Sequence, residues 1–260
     1  MGHDVKGHIL LIDSGVGGLV VLAQMRKLLP DAQYTYVADE AYFPYGKLDD
    51  LTLQTRVSAI VKSIDQEMPV DCVVVACNTA STIVLETLRD EYDFPIVGIV
   101  PAIKVAAQQT KTKVFGVIAT EATANGAYIQ SLINEFAADC LVILQGSKKL
   151  AKLAEQKLNG NKVLLSDVKK EIQLLFTEQG HLDHIVLGCT HYPFLLEELK
   201  AVVPYEVCWI DPAKAVANRV FDVFVPKYSA VVYDTRHFTT AEKSNYFSLK
   251  FVNFKHWEIG

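Results

Sequence analysis

The chain has 260 residues, of which 50% are hydrophobic and 21% charged, with a formal net charge of −5 at pH 7. It is long enough to bury a large core in one domain or two. No apolar run approaches the roughly 18 residues of a membrane-spanning helix, and an acidic chain without a basic run does not fit nucleic acid, where clustered Lys and Arg supply the affinity.

The first strand is expected at Ile9–Ile12, ending at Asp13-Ser14-Gly15-Val16-Gly17-Gly18 before a helix from Leu19 to Leu29 that Pro30 closes. A second strand, Tyr34–Val37, leads to Asp39 and the loop Ala41-Tyr42-Phe43-Pro44-Tyr45-Gly46, whose aromatic, Pro and Gly residues make a rigid ligand-touching loop. Asp49 caps a long helix to about Met68, and Asp71 opens the strand Val73-Val74-Val75-Ala76 that stops at Cys77. A helix from Thr79 to Tyr92 and a strand at Pro95–Val100 follow. After Pro101 the pattern begins again with a helix Ile103–Gln109, a strand Lys113–Thr120, a helix Ala124–Phe136 and a strand Cys140–Leu144. Helices near Lys148–Lys157 and Asp167–Glu178 precede the strand Ile185-Val186-Leu187-Gly188, which stops at Cys189. From Val207 onward the chain is expected to return to the first half, with a helix Ala213–Phe224, a strand Ala230–Tyr233 and a last helix near Thr240–Phe247.

Alternating strands and helices indicate an α/β fold: two similar doubly wound domains with mainly parallel sheets and the active site in the cleft between them. Residues 1–100 plus 210–260 form the first domain and 101–209 the second. The first strand of each half ends in a hydroxyl residue, Ser14 and Thr120, as a weak internal duplication would have it.

The five cysteines are odd in number and include no CxxC pair, which fits a reducing compartment better than a disulfide scaffold. The stretch Met1–His8 has no basic flank leading into a signal-peptide core, so a cytoplasmic location is expected. Cys72, Cys140 and Cys208 sit among strand-like apolar residues and read as small buried hydrophobes. Cys77 and Cys189 differ, because each ends its apolar run and is followed by residues that cap helices, Asn78-Thr79 and Thr190-His191. A thiol at a helix N-terminus has its thiolate favoured by the dipole. Two such thiols in two similar units could face each other across a single small anion.

Asp13-Ser14-Gly15-Val16-Gly17-Gly18 also resembles a dinucleotide-binding turn, with Asp39 as the later acid. The spacing fails at Val20, and Asp13 stands where a pyrophosphate would approach. A tight turn whose glycines only permit close helix packing is the alternative.

Ile12-Asp13-Ser14-Gly15-Val16-Gly17-Gly18, Pro44-Tyr45-Gly46, Ala76-Cys77-Asn78-Thr79-Ala80 and Leu187-Gly188-Cys189-Thr190-His191-Tyr192-Pro193, in this order, resemble the signature segments of the aspartate/glutamate racemase family, in its glutamate branch. The resemblance implies cofactor-independent interconversion of L- and D-glutamate, supplying D-glutamate for bacterial peptidoglycan. Cys77 and Cys189 would be the acid–base pair, and Asp13, Ser14, Tyr45, Gly46, Asn78, Thr79, Thr190 and His191 the substrate contacts. Thr120 and Glu155 are expected behind them. No cofactor, metal, nucleic acid or membrane partner is expected, and a homodimer is left open.

The chemistry agrees. Inverting an α-carbon without a cofactor requires one group to remove a proton from one face and another to deliver one to the opposite face, with donors aimed at the carboxylate where charge builds up. Asp13 and His191 are candidates to poise the two thiols. Other readings stand beside these: His191 as a helix cap, a Cys189-x-His191 zinc site lacking further ligands, Tyr45 as a surface aromatic, and a shift to aspartate or hydantoin substrates or to mere amino-acid binding. Two departures from the family pattern are the proline-free segment Ser147–Glu155 and Pro212 after Asp211.

Overall fold

The computed structural model describes residues 7–176, 181–226, 235–244, 246, 249 and 252–259. The N-terminal residues 1–6, the strand expected at 230–233 and the end of the helix expected to reach residue 178 lie outside them. The chain divides into two compact units, Met1–Ile99 with Ala213–Gly260, and Val100–Pro212.

The first unit begins with β1 (His8–Asp13), α1 (Leu19–Leu28), β2 (Gln33–Ala38), α2 (Asp50–Glu67), β3 (Cys72–Val75), α3 (Asn78–Glu91) and β4 (Ile96–Gly98). The second comprises α4 (Ile103–Gln109), β5 (Val114–Thr120), α5 (Glu121–Asn125), α6 (Ala127–Phe136), β6 (Leu141–Ser147), α7 (Leu150–Leu158), α8 (Leu165–Ile172), β7 (His184–Gly188), α9 (Leu196–Val202) and β8 (Cys208–Ile210). The chain then returns to the first unit with α10 (Ala213–Val223), β9 (Arg236–Thr239) and β10 (Phe254–His256).

One sheet has the order β10-β9-β2-β1-β3-β4 and the other β6-β5-β7-β8, and all described strand pairs are parallel. Both contain the same walk: the first strand is flanked by the second on one side and by the third and fourth on the other. The strand order therefore reverses beside β1 and β3 in one unit and beside β5 and β7 in the other. At such a reversal neighbouring crossovers leave in opposite directions and open a crevice at the strands' carboxyl ends. Register fills that edge: Ile12 pairs with Val75, so Asp13 and Cys77 follow on adjacent strands, and Ala119 pairs with Gly188, so Thr120 and Cys189 do the same.

The strands read as continuous apolar runs because both faces are covered. In the second sheet Ile118, Ile185 and Leu187 face the helices α7, α8 and α9, while the alternate residues Phe115, Val117 and Val186 face α4 and α6. In the first, Leu10, Ile12, Val73 and Val75 pack on α2 and α3, and α1 packs against α10. Asp49 caps α2 as expected, accepting from the Thr52 N–H at 2.9 Å.

Four local expectations need correction. The helix read from Ala124 to Phe136 starts earlier, because the Thr120 hydroxyl caps α5, and it is split where Gly126 takes an extended conformation between α5 and α6. Ile210 does not open the return to the first unit: it ends β8, paired with Val186. The described residues 240–244 are not helical; β9 runs up to Thr239, and the Thr240 and Ser244 hydroxyls are tied to Asp39 and Glu40. Finally, Cys208 is exposed on the edge strand β8 and Cys140 is half-buried, so the buried-hydrophobe reading holds for Cys72 alone, whose thiol burial and the nearby Asp71 push up to about 12.

The turn after β1 shows close packing decided by single atoms. A Cβ on Gly18 would lie 2.7 Å from the Ala76 Cβ and 3.0 Å from the Tyr36 hydroxyl oxygen. Gly18→Ala should therefore destabilise the chain by about 1–3 kcal/mol through overpacking, measured as a lower urea midpoint with unchanged m-value.

Candidate active site

In the first unit the carboxyl edge begins with Asp13, fully buried at the end of β1. Its carboxylate accepts from the Ser14 N–H at 2.6 Å and from the Gly18 N–H, closing the turn at the start of α1. The Tyr36 hydroxyl fixes the same turn by donating to the Gly15 carbonyl at 2.8 Å. An acidic group already holds the N–H donors that a pyrophosphate would need, so this turn is a close-packing device and not a dinucleotide site.

Beside it, Cys77 occupies the N-cap of α3 in extended conformation, buried, with its carbonyl accepting the first helical bond from the Ser81 N–H at 2.9 Å. The run of β-branched valines ends there because Asn78-Thr79-Ala80-Ser81 can turn into a helix; the Ser81 hydroxyl locks the junction by donating to the Val75 carbonyl and accepting from the Ile99 N–H. Asn78 is 2% exposed, yet neither its amide nitrogen nor its carbonyl oxygen has a partner among the described residues. An orphaned buried amide costs about 1–3 kcal/mol. At a helix N-terminus beside a thiol, a polar ligand is the natural partner.

Tyr45 departs from the surface-aromatic reading. It is a buried side chain, not a surface aromatic, and its hydroxyl donates to Asp39 Oδ2 at 2.8 Å. Burial, then the Asp39 charge, raises its pKa well above the ordinary tyrosine value, with Cys77 and Asp13 adding to the shift. The phenol is thus engaged by the protein, and the exposed Gly46 leaves main chain as what this loop offers a ligand. Asp39, whose position alone suggested a ribose contact, is instead a hub. Fully buried, it takes Arg56 through two nitrogens at 2.7 and 3.0 Å and the Thr240 hydroxyl at 2.6 Å. Sequence reasoning missed Arg56 and Thr240, because the ties to Asp39 join positions far apart in the chain.

In the second unit, Cys189 follows β7 and is buried with Thr190, His191 and Tyr192. No α-helix starts directly after it: Pro193 stands in a 3-10 turn, Tyr192–Leu195, and α9 begins only at Leu196. A helix dipole is therefore not what poises this thiol. His191 Nδ1 lies 3.9 Å from Cys189 Sγ, and His191 Nε2 lies 2.7 Å from Glu155 Oε1. Regular helix α7, formed despite the missing prolines, carries Glu155 to this position and packs on the 3-10 turn. Burial lowers the His191 pKa, but hydrogen bonds and negative charge from Cys189 and Glu155 outweigh it and hold the imidazole well above its usual range. His191 is therefore a charged neighbour of the thiol and not a helix cap. The Thr120 hydroxyl caps α5 by accepting from the Thr123 N–H at 3.2 Å, one strand away from Cys189. Among the described residues no group of three or more His, Cys, Asp or Glu side chains could hold a metal ion.

The His191–Glu155 pair carries a pH signature. The folded pKa of His191 is raised, so its contribution to stability is complete below the unfolded value of about 6.5 and is lost as pH rises through the folded value. Glu155→Gln should flatten that loss, and the His191 titration followed by NMR should move down; urea unfolding at pH 6 and pH 9 in both proteins checks it.

Comparison with known proteins agrees with this geometry. The model of the family described as Asp/Glu/Hydantoin racemase matches residues 19–220. A glutamate racemase of Histophilus somni is 44% identical over 220 residues, 85% of this chain and 82% of that one, and one of Pasteurella multocida is 45% identical over 220 residues, 85% and 81% of the two chains. The crystal structure of Escherichia coli glutamate racemase, in complex with L-glutamate and the activator UDP-MurNAc-Ala, superposes with a TM-score of 0.91 at 37% identity, covering 98% of this chain and 99% of that one. With a buried cysteine beside the strand-order reversal of each sheet, and with relatives this similar over this much of their length, the chain belongs to the Asp/Glu/Hydantoin racemase family.

Proposed function

We propose that the chain is a cofactor-independent glutamate racemase in which Cys77 and Cys189 are the two acid–base groups. The observation that carries this reading is the pair of buried thiols, each at the carboxyl end of a strand flanking a reversal of strand order. Glutamate as the substrate is supported by the activity named for the relatives that are 43–46% identical.

Starting from L-glutamate, the Cys189 thiolate takes the α-proton: the C–H bond breaks, an S–H bond forms, and the electron pair stays on the substrate, delocalised into its α-carboxylate. The Cys77 thiol then delivers its proton to the other face of the carbon and is left as thiolate. From D-glutamate the roles exchange; the assignment of each thiol to one enantiomer follows the family resemblance. Imidazolium at His191, held by Glu155, favours the Cys189 thiolate electrostatically. The N-terminus of α3 does so for Cys77 and offers N–H donors to the growing negative charge. Asn78 and Thr79 are placed at that N-terminus, and Asn78 has hydrogen bonds to give. Asp13 is read as a group beside Cys77, and Ser14, Thr190 and the Tyr45–Gly46 main chain as further substrate contacts. The product would supply peptidoglycan synthesis in the cytoplasm.

Cys77→Ala and Cys189→Ala should each lower turnover roughly 10²-fold or more, as loss of an obligatory proton-transfer group does, with the far-UV spectrum unchanged. A circular-dichroism time course with L-glutamate and L-aspartate in parallel reads both the loss and the substrate. Wild-type turnover in either folded variant, or preference for aspartate, would contradict the proposal.

A further inference from the structure

The reaction proposed above uses main chain at Tyr45 and Gly46, and that stretch hangs on one buried carboxylate. Asp39 follows β2, and its own N–H donates to the Asp13 carbonyl at 2.8 Å. Beyond it the chain makes two short turns. The Tyr42 N–H donates to the Asp39 carbonyl at 3.0 Å, and the Leu48 N–H to the Tyr45 carbonyl at 3.0 Å.

The four lone-pair sites of the Asp39 carboxylate are all taken. Oδ1 accepts from Arg56 Nη2 at 2.7 Å and the Thr240 hydroxyl at 2.6 Å, and Oδ2 from Arg56 Nε at 3.0 Å and the Tyr45 hydroxyl at 2.8 Å. No capacity is left for a ligand, so Asp39 acts through its partners. These come from three places: the loop itself, α2, and the residue after β9. The Thr240 hydroxyl also accepts the Ala41 N–H at 3.2 Å, and the Arg56 guanidinium lies 4.3 Å from the centroid of the Tyr42 ring. Desolvation offsets most of the attraction in a buried ion pair, so such a pair contributes little net stability. What this one supplies is geometry, because its contacts converge on a single loop. The loop in turn meets the Cys77 side: the Tyr45 ring is buried in the same core cluster as Cys77 and Ala80.

We propose that Asp39 and Arg56 are positioning residues for the reaction: by holding the Tyr45 hydroxyl they set the Tyr45–Gly46 main chain against the substrate on the Cys77 side. This rests on the racemase reading above and deepens it.

Asp39→Asn strands the Arg56 charge and can cost the fold. Tyr45→Phe instead removes one neutral donor and leaves the ion pair intact, while Arg56→Lys keeps the charge and loses the planar fork. Tyr45→Phe should raise KM for glutamate roughly 10-fold, as loss of a hydrogen bond to a charged group does. Its kcat should stay within about threefold of wild type, since the loop touches ground and transition states alike. Arg56→Lys should act in the same direction, and the double variant should be non-additive because both changes act through Asp39. A merely structural role would lower Tm and leave KM in place. Amide exchange of the ligand-free protein, read by mass spectrometry, should quicken in residues 41–48 of Tyr45→Phe and not in β1 or β3. A KM within about twofold of wild type in folded Tyr45→Phe, or strictly additive effects, would overturn the proposal. Wild-type turnover reads the other claim separately: if neither glutamate nor aspartate is racemised, the racemase reading fails. The exchange arm then decides alone, and unchanged exchange in the loop overturns the positioning role.

Discussion

A parallel sheet puts every strand's carboxyl end on one edge, and each strand there must hand the chain to a helix or loop that crosses back. Where successive crossovers leave in opposite directions, no connection covers the edge, and the backbone N–H groups of the departing segments stay available. Both sheets of this chain have that reversal in the same place, and in both a cysteine stands at the end of a strand beside it. Everything else at the candidate site follows from register: Asp13 one strand from Cys77, Thr120 one strand from Cys189. The two units reach a similar result by different local means. Cys77 caps a fourteen-residue α-helix, whereas Cys189 enters a 3-10 turn and borrows its electrostatics from His191 and Glu155.

Hydrogen-bond satisfaction separates scaffold from working groups. Asp13, Asp39 and Ser81 are buried polar side chains that bond to groups of the fold, and they hold turns and loops in place. The Asn78 side-chain amide is equally buried and has no such partner among the described residues. A buried amide without a partner costs the empty fold, and on the segment that follows Cys77 it stands where a polar ligand would satisfy it.

Much of this was legible in the sequence because the physics is local. Runs such as Val73-Val74-Val75 that stop at a small residue and a cysteine mark buried parallel strands, and Asp49 three residues before Thr52 marks a cap. Where function depended on who meets whom across the chain, local pattern was silent. The burial of Tyr45 is decided by Asp39, Arg56 and Thr240, which no spacing rule connects. The short strand β9 and the edge strand β10 beside it lack the apolar runs of the central strands. Glu155 was visible as a residue, but its contact with His191 joins positions 36 apart in the chain, which local pattern does not connect.

The central claim is that two different thiols handle the two faces of one α-carbon. In the proposed two-base site the group that takes the proton from L-glutamate is not the one that completes D-glutamate, and each thiol carries a single hydrogen that exchanges with solvent. The direct measurement is mass spectrometry of both enantiomers at low conversion in D₂O, starting from L-glutamate. Two bases predict D-glutamate carrying deuterium at the α-carbon while the remaining L-glutamate stays almost unlabelled. Substantial unlabelled D-glutamate, the original proton returned by a single base, would contradict the account.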